Sequence, residues 1–135
     1  MTARSAMYSV IHGDARLEEL GFTTVYAQNE VDTPPENRFV VLRWESPDPK
    51  AFAQKAVDHC VVAFHDKDQD YGQIDLAIER VKEIVRDVLH VSGGDGWVMT
   101  QASWNTDSPD LWDDGFKTVT RWTDISVNSR YDGSV

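Results

Sequence analysis

The stretch "VDHCVVAFHDKDQDYGQIDLAIERVKEIVRDVLH", residues 57–90, decides the fold. Its first part, Val57 to His65, is almost unbroken in apolar character, as expected of a strand buried inside a sheet. The second part changes period. Ile74, Ile78, Val81, Val85 and Val88 recur at steps of four, three, four and three. Ala77, Ile84 and Leu89 widen that stripe, and charged residues cover the rest, which predicts a long amphipathic helix from Asp70 to His90. Between the two parts, Asp66, Asp68 and Asp70 stand at alternate positions.

Those aspartates have the spacing of the first half of a calcium loop. Counted from Asp66, however, position six is Tyr71 instead of glycine, and position twelve is Ala77 instead of the bidentate glutamate. The residues before the cluster also read as strand, where an EF-hand has a helix. The expected role is therefore an N-cap at Asp70, with Asp66 and Asp68 as a solvated acidic turn near the helix's positive end. Asp66, Asp68 and Asp70 remain a weak divalent-cation candidate. His59 and His65 share a strand face, but six residues of strand hold them about 20 Å apart, too far for one metal ion.

Outward from this core, Ala6 to Leu20 is expected to form a shorter helix that turns its apolar residues Tyr8, Ile11, Leu17 and Leu20 inward. Gly13 is its weak point and Gly21 its stop. Thr23–Gln28, Arg38–Glu45, Trp97–Trp104 and Phe116–Asn128 read as further strands. In the last of these, Val119, Arg121, Thr123, Ile125 and Val127 share one side, opposite a mostly polar set. Ser92–Gly96 is glycine-rich and is expected to end the long helix. The sum is an α+β fold: an antiparallel or mixed β-sheet of about five strands, with the long helix packed on one face and a shorter N-terminal helix. One domain is expected over residues 1–128, with 129–135 as a loose C-terminal tail.

Composition narrows the function. The chain has 135 residues and a formal charge of −10, from 23 acidic and 13 basic side chains. No Lys/Arg-rich run is present, which argues against sequence-specific nucleic-acid binding. The single cysteine, Cys60, rules out an intrachain disulfide and sits in an apolar run that suits a buried thiol. No signal-peptide h-region or membrane-length apolar stretch is seen, so folding in a reducing cytoplasm is expected. There is no P-loop, dinucleotide fingerprint or nucleophile elbow, and "SGGDGW" follows a helix instead of opening one. We expect no enzyme and no cofactor.

What remains are two long acidic loops containing proline, around "NEVDTPPEN" and "NTDSPDLWDDG", of a kind that often carries function. They supply the candidate contact residues: Pro34, Pro35, Glu36 and Arg38 in the first, and Asp110, Trp112, Asp113 and Asp114 in the second. Trp112, in the company of Asp110, Asp113 and Asp114, either folds back onto the core or serves as an aromatic anchor.

Three stretches together carry a resemblance: "VDTPPENRFVVLRWE", "HCVVAFHDKDQDYGQIDLAIERVKEIVRDVL" and "WVMTQASWNTDSPDLWDDGFKTVTRWTDISVNSR". In order and character they are similar to the tail-terminator proteins of long-tailed, non-contractile bacteriophages, the group like the lambda minor tail protein U. The resemblance implies an α+β sheet flanked by helices. It also implies a homohexameric ring on the head-proximal end of the tail tube, ending tube polymerisation. The implied partners are other copies of the chain, the tail-tube protein and a head-completion or connector protein. DNA would pass through the ring without specific binding, which suits an acidic lumen. The place of work would be the virion tail, after assembly in the host cytoplasm. A different head–tail connector, or a small cytosolic divalent-metal-binding module, is the alternative reading.

Overall fold

A computed structural model of the chain describes residues 4–28, 34–45, 55–87, 89–92 and 96–131. Its centre is a pair of long antiparallel strands, β3 (Lys55–Asp66) and β7 (Thr118–Tyr131), in register from Lys55 opposite Arg130 to Asp66 opposite Val119. On the outer side of β3 lies β2 (Arg38–Trp44), antiparallel, and beyond it the short β1 (Val25–Ala27), which runs parallel to β2. On the other side of β7 lie β5 (Trp97–Asp107) and then β4 (Leu89–Ser92). A three-residue strand, β6 (Leu111–Asp113), pairs with the start of β7 where β5 has ended. The sheet thus has the order β1-β2-β3-β7-β5-β4, with β6 attached to β7. It is the mixed, helix-flanked α+β arrangement the sequence predicts.

The helices of the described residues all serve one face. They are α1 (Arg4–His12), α2 (Ala15–Glu19) and α3 (Tyr71–Asp87). Ile74, Ala77, Ile78, Val81 and Val85 of α3 enter one core with Cys60, Val62 and Phe64 of β3 and Ile125 and Val127 of β7. Full burial of an aliphatic side chain of this size stabilises the fold by roughly 1.5–3 kcal/mol. Phe22, on the link from α2 to β1, meets Phe64 edge-on at 5.1 Å. Ion pairs tie the helices down, among them Asp75 of α3 with Arg121 of β7. Arg80 of α3 grips Asp14 with Nη2 2.7 Å from Oδ1, and Lys82 holds Asp107 of β5 at 2.7 Å while lying over the Trp104 ring. Burial pushes the Asp14 carboxyl up, but hydrogen bonds from Arg80 and the Leu17 N–H outweigh it and hold the group below its ordinary value.

Several boundaries differ from the sequence reading, each for a local reason. The first helix is two. Asp14 takes an extended conformation and accepts from the Leu17 N–H at 3.0 Å, so it starts α2 as an N-cap instead of continuing α1. Ala6, Met7 and Ile11 are the buried side of α1, whereas Tyr8 is exposed and stacks on His12. Gly21 does stop the segment, with φ +94°.

The long helix ends at Asp87 instead of His90. Leu89–Ser92 pair with β5, and His90 sits at φ 52°, outside the helical region; Val88 lies outside the described residues. Sheet pairing wins there over a helical period that runs on in the sequence. Of the glycine-rich stretch 92–96, Ser92 belongs to β4 and residues 93–95 are outside the described set. Gly96 has φ +88°, and a Cβ there would lie 2.7 Å from the Tyr131 ring.

The second acidic loop is largely strand: β5 continues to Asp107, and β6 takes Leu111–Asp113. At the C-terminus β7 runs on through Tyr131, so Ser129, Arg130 and Tyr131, read as the start of a tail, pair within the sheet; residues 132–135 are outside the described set. In the first loop, residues 29–33 are also outside it. Among the described residues no helix is long and apolar enough to cross a membrane.

Candidate interaction site

Strand alternation sends Cys60, Val62 and Phe64 under the helices, so Val61, Ala63 and His65 must point to the other face. Among the described residues no helix covers them. Their cross-strand neighbours build rows across this open face. Val41 lies opposite Ala63, and Ala63 opposite Trp122. Arg43 lies opposite Val61, and Val61 opposite Asp124. The next row towards β6 contains Phe39, His65 and Thr120.

The β6–β7 hairpin folds over one end of these rows. Asp113 Oδ1 accepts the Phe116 N–H at 2.7 Å, and Lys117 adopts φ 59°, which tightens the turn. The turn brings Phe116 edge-on to Phe39 at 5.3 Å and to His65 at 5.2 Å, while Phe39 and His65 stack at 4.8 Å. His65 Nδ1 lies 2.8 Å from Thr118 Oγ1. Burial lowers the His65 pKa to about 4, against a smaller upward pull from Asp113, so the ring is neutral near pH 7.

What is left open is a groove of about 490 Å³. Val41, Val61 and Ala63 form its floor, Trp122 flanks it, Leu111 and Trp112 of β6 make a wall, and Arg43 stands at the mouth. Trp112 is 51% exposed, a large apolar area for a side chain with no described neighbour above it. The Arg43 guanidinium has an exposed ion-pair partner, Glu45, at 3.4 Å. The chemistry is that of a contact surface: an apolar floor with aromatic flanks, and one cation, Arg43, and one carboxylate, Asp113, in the lining.

The candidates read from the sequence divide between places. Trp112 and Asp113 line the groove. Asp110 and Asp114 are exposed beside it, near Arg121 at 3.8 Å and Lys117 at 3.0 Å respectively. The first-loop set is elsewhere. Pro34 is buried and its carbonyl accepts from Lys67; Pro35 is exposed. Glu36 accepts the Tyr26 hydroxyl at 2.7 Å, and that bond lowers its pKa. Arg38 is committed inside the chain: its Nε is 3.0 Å from Asp66 Oδ2 and its Nη1 is 3.1 Å from the Leu20 carbonyl. Arg38 therefore braces the fold where the sequence reading made it a contact.

That clamp also settles the aspartate cluster. Asp66 is fully buried, not part of a solvated turn; its second oxygen accepts the Asp68 N–H at 2.8 Å. Asp70 caps α3 as expected, accepting the Gly72 N–H at 2.9 Å. Arg38 bridges two of the three, with Nη2 3.7 Å from Asp70 Oδ2 as well as Nε on Asp66, and among the described residues no group of three or more His, Cys, Asp or Glu is placed to hold a metal ion. His59 likewise faces Asp124 at 3.5 Å and Asn105 at 3.4 Å, apart from His65. Cys60 is buried, and burial pushes its thiol well above the ordinary range.

The sequence reading missed Val41, Arg43, Val61, Ala63, Phe116 and Trp122. A signal for the floor was present: a strand apolar on both sides next to helices that cover only one.

The class of protein is thus an α+β domain with a one-sided helical layer and an open, grooved sheet face. No protein-family model matches the sequence, and no curated protein matches it. Among solved structures, the chain is similar to one in the virion of a native gene transfer agent (GTA) particle. The TM-score is 0.66 at 19% identity, and the match covers 98% of this chain and 96% of that one. At that identity the likeness speaks for a shared fold.

Proposed function

We propose that this chain is a structural virion protein that forms a ring on the head-proximal end of a phage-like tail tube. There it ends tube polymerisation and joins the tail to the head-completion proteins. The observation that carries the virion reading is the end-to-end fold likeness to a chain of a GTA virion, which leaves little of either chain unmatched. The placement at the tail end comes from the resemblance of the three sequence stretches to tail terminators.

The physical character of the domain supports the reading. A ring needs two different surfaces on each subunit that fit one another. The open groove is one surface of the right kind, and the acidic outer side of α3 is a contrasting one. A charge of −10 on each subunit favours passage of DNA over its capture. The role is one of assembly, without catalysis.

The test is tube length. Tail-tube protein from the same source is polymerised with and without this chain, and lengths are measured by electron microscopy. Shorter tubes with ring density at one end are the expected result. Unchanged lengths with bare ends would refute the proposal.

A further inference from the structure

We propose that His59, Asp124 and Asn105 form a binding site for one divalent transition-metal ion of the Zn²⁺ kind, on the helix-free face beside the groove. The inference does not depend on the ring reading.

The site is built where three strands meet. His59 lies on β3 opposite Ser126 of β7, and Asp124 lies two residues before Ser126, on the same face. Asn105 comes from β5 at a shift of register. Trp104 pairs with Ile125 and Thr106 with Asp124, so Asn105 is the extra residue of a bulge. A bulge re-aims side chains, and this one brings the Asn105 amide to the His59 ring. Ser126 braces that amide, with Oγ 2.9 Å from Nδ2 and 3.3 Å from Oδ1.

The distances decide what the cluster can do. His59 Nδ1 is 3.5 Å from Asp124 Oδ1 and 3.4 Å from the Asn105 amide. An ordinary N–H···O bond spans about 2.7–3.2 Å, so both gaps are long for direct bonding. Asp124 Oδ1 is also buried and has no hydrogen-bond partner. A carboxylate oxygen in that state is unfavourable until a donor or a cation reaches it. The two gaps match the spacing of neighbouring ligands on one metal ion. With metal–ligand bonds of about 2.0–2.1 Å, a tetrahedron has edges of about 3.3–3.4 Å. A half-turn of the Asn105 amide puts its oxygen where its nitrogen stands, and Ser126 bonds either end. The ion then has one imidazole nitrogen, one carboxylate oxygen and one amide oxygen. His59 and Asn105 are exposed, so the ion enters from solvent and water completes the shell.

The donor set selects the ion. Imidazole suits Zn²⁺, Ni²⁺ and Cu²⁺, whereas Ca²⁺ and Mg²⁺ take six or more ligands that are mainly oxygen. Only His59 and Asp124 are strong ligands and neither is a thiolate, so the affinity is well below that of a structural zinc centre. Once bound, the ion ties β3, β5 and β7 together on the side the helices leave open.

Calorimetric titration of the metal-free full chain with Zn²⁺ tests this. One equivalent is expected to bind, and to raise the melting temperature. His59→Ala and Asp124→Asn should each weaken binding by about tenfold or more. His12→Ala, His90→Ala and excess Ca²⁺ or Mg²⁺ should leave it unchanged. Each variant is first checked for a wild-type circular dichroism spectrum. The His59 side chain is 46% exposed, so its removal spares the fold and carries the test even if Asp124→Asn does not fold. Co²⁺ in place of Zn²⁺ should give the strong visible absorption of a four-coordinate ion, lost in His59→Ala. Zn²⁺ binding that survives His59→Ala, the pale spectrum of six-coordinate Co²⁺, or no saturable Zn²⁺ binding up to about 1 mM overturns the proposal.

Discussion

The two faces of β3 make the most informative comparison in the molecule. Cys60, Val62 and Phe64 alternate with Val61, Ala63 and His65 along one strand, and both sets are largely apolar. The first set is sealed beneath α3 and continues into the core. In the second, Phe116 roofs His65 and Val61 is buried as well, while Ala63 between them is partly open in the groove. Similar chemistry on both sides of one strand has been finished by the chain on one side and left unfinished on the other. Burial of the first set contributes stability to the monomer; in the second set Val61 and His65 are also buried, and the area still open lies at Ala63 and its neighbour Val41.

Substitutions at neighbouring positions can break this contrast. Phe64→Ala empties a fully buried ring site and should cost about 3–5 kcal/mol in urea unfolding. Ala63→Ser, one residue away on the open face, should change the unfolding free energy by less than about 0.5 kcal/mol. Comparable costs at the two positions would show that the open face is packed in the monomer. Asp66→Ala is expected to cost about 2–4 kcal/mol, because it removes the buried and closer of the two anionic partners of Arg38 and leaves only the half-exposed Asp70 at 3.7 Å. Asp68→Ala leaves Asp66 and Arg38 in place and should cost under about 1 kcal/mol. Equal losses would mean that the three aspartates act as one cluster after all.

His65 tests the roofed end of the open face. Its pKa is pushed down to about 4 from an ordinary value of 6.5. The folded state disfavours the charged ring, so the stabilisation is whole above pH 6.5 and is lost as pH falls towards 4. The loss over that window is roughly 3 kcal/mol. Asp14 and Glu36, whose pKa values are lowered, contribute their own acid sensitivity only at lower pH. A stability profile measured from pH 7.5 to 4.5 should slope for the wild type and be nearly flat for His65→Phe. Parallel slopes in the two proteins would show that the roof does not bury His65.

How far the sequence disclosed all this depends on whether a residue's role was set locally. The α3 stripe, the Asp70 cap and the Gly21 stop follow from spacing within a few residues, and the structure has all three. The failures come from partners far along the chain. His90 leaves the helix because β5 offers Leu89–Ser92 a strand to pair with. Asp66 is buried because Arg38, 28 residues away, reaches it. The acidic loop before Phe116 becomes strand because β7 extends past the end of β5. Trp112 was found by its odd company of aspartates. The floor beneath it was not, since Val41, Val61 and Ala63 are ordinary strand residues until the helices are seen to lie on one face only.

Trp112→Ala has the smallest expected effect on the monomer and the sharpest bearing on the comparison. The side chain is half exposed on a three-residue strand, and its removal should change unfolding free energy by less than about 1 kcal/mol. The β6–β7 turn is held by the Asp113 side chain, which the substitution leaves intact. As a groove wall, however, Trp112 should contribute to association as a buried aromatic anchor does, at about 2 kcal/mol or more, equivalent to some thirtyfold in assembly concentration. Unfolding curves and sedimentation measured on the same preparation separate the two quantities. A variant that folds as well as the wild type but fails to associate places the function on the unfinished face. If association survives at wild-type concentrations, the groove wall is surface, and the edge strands become the place to look for the neighbouring subunit.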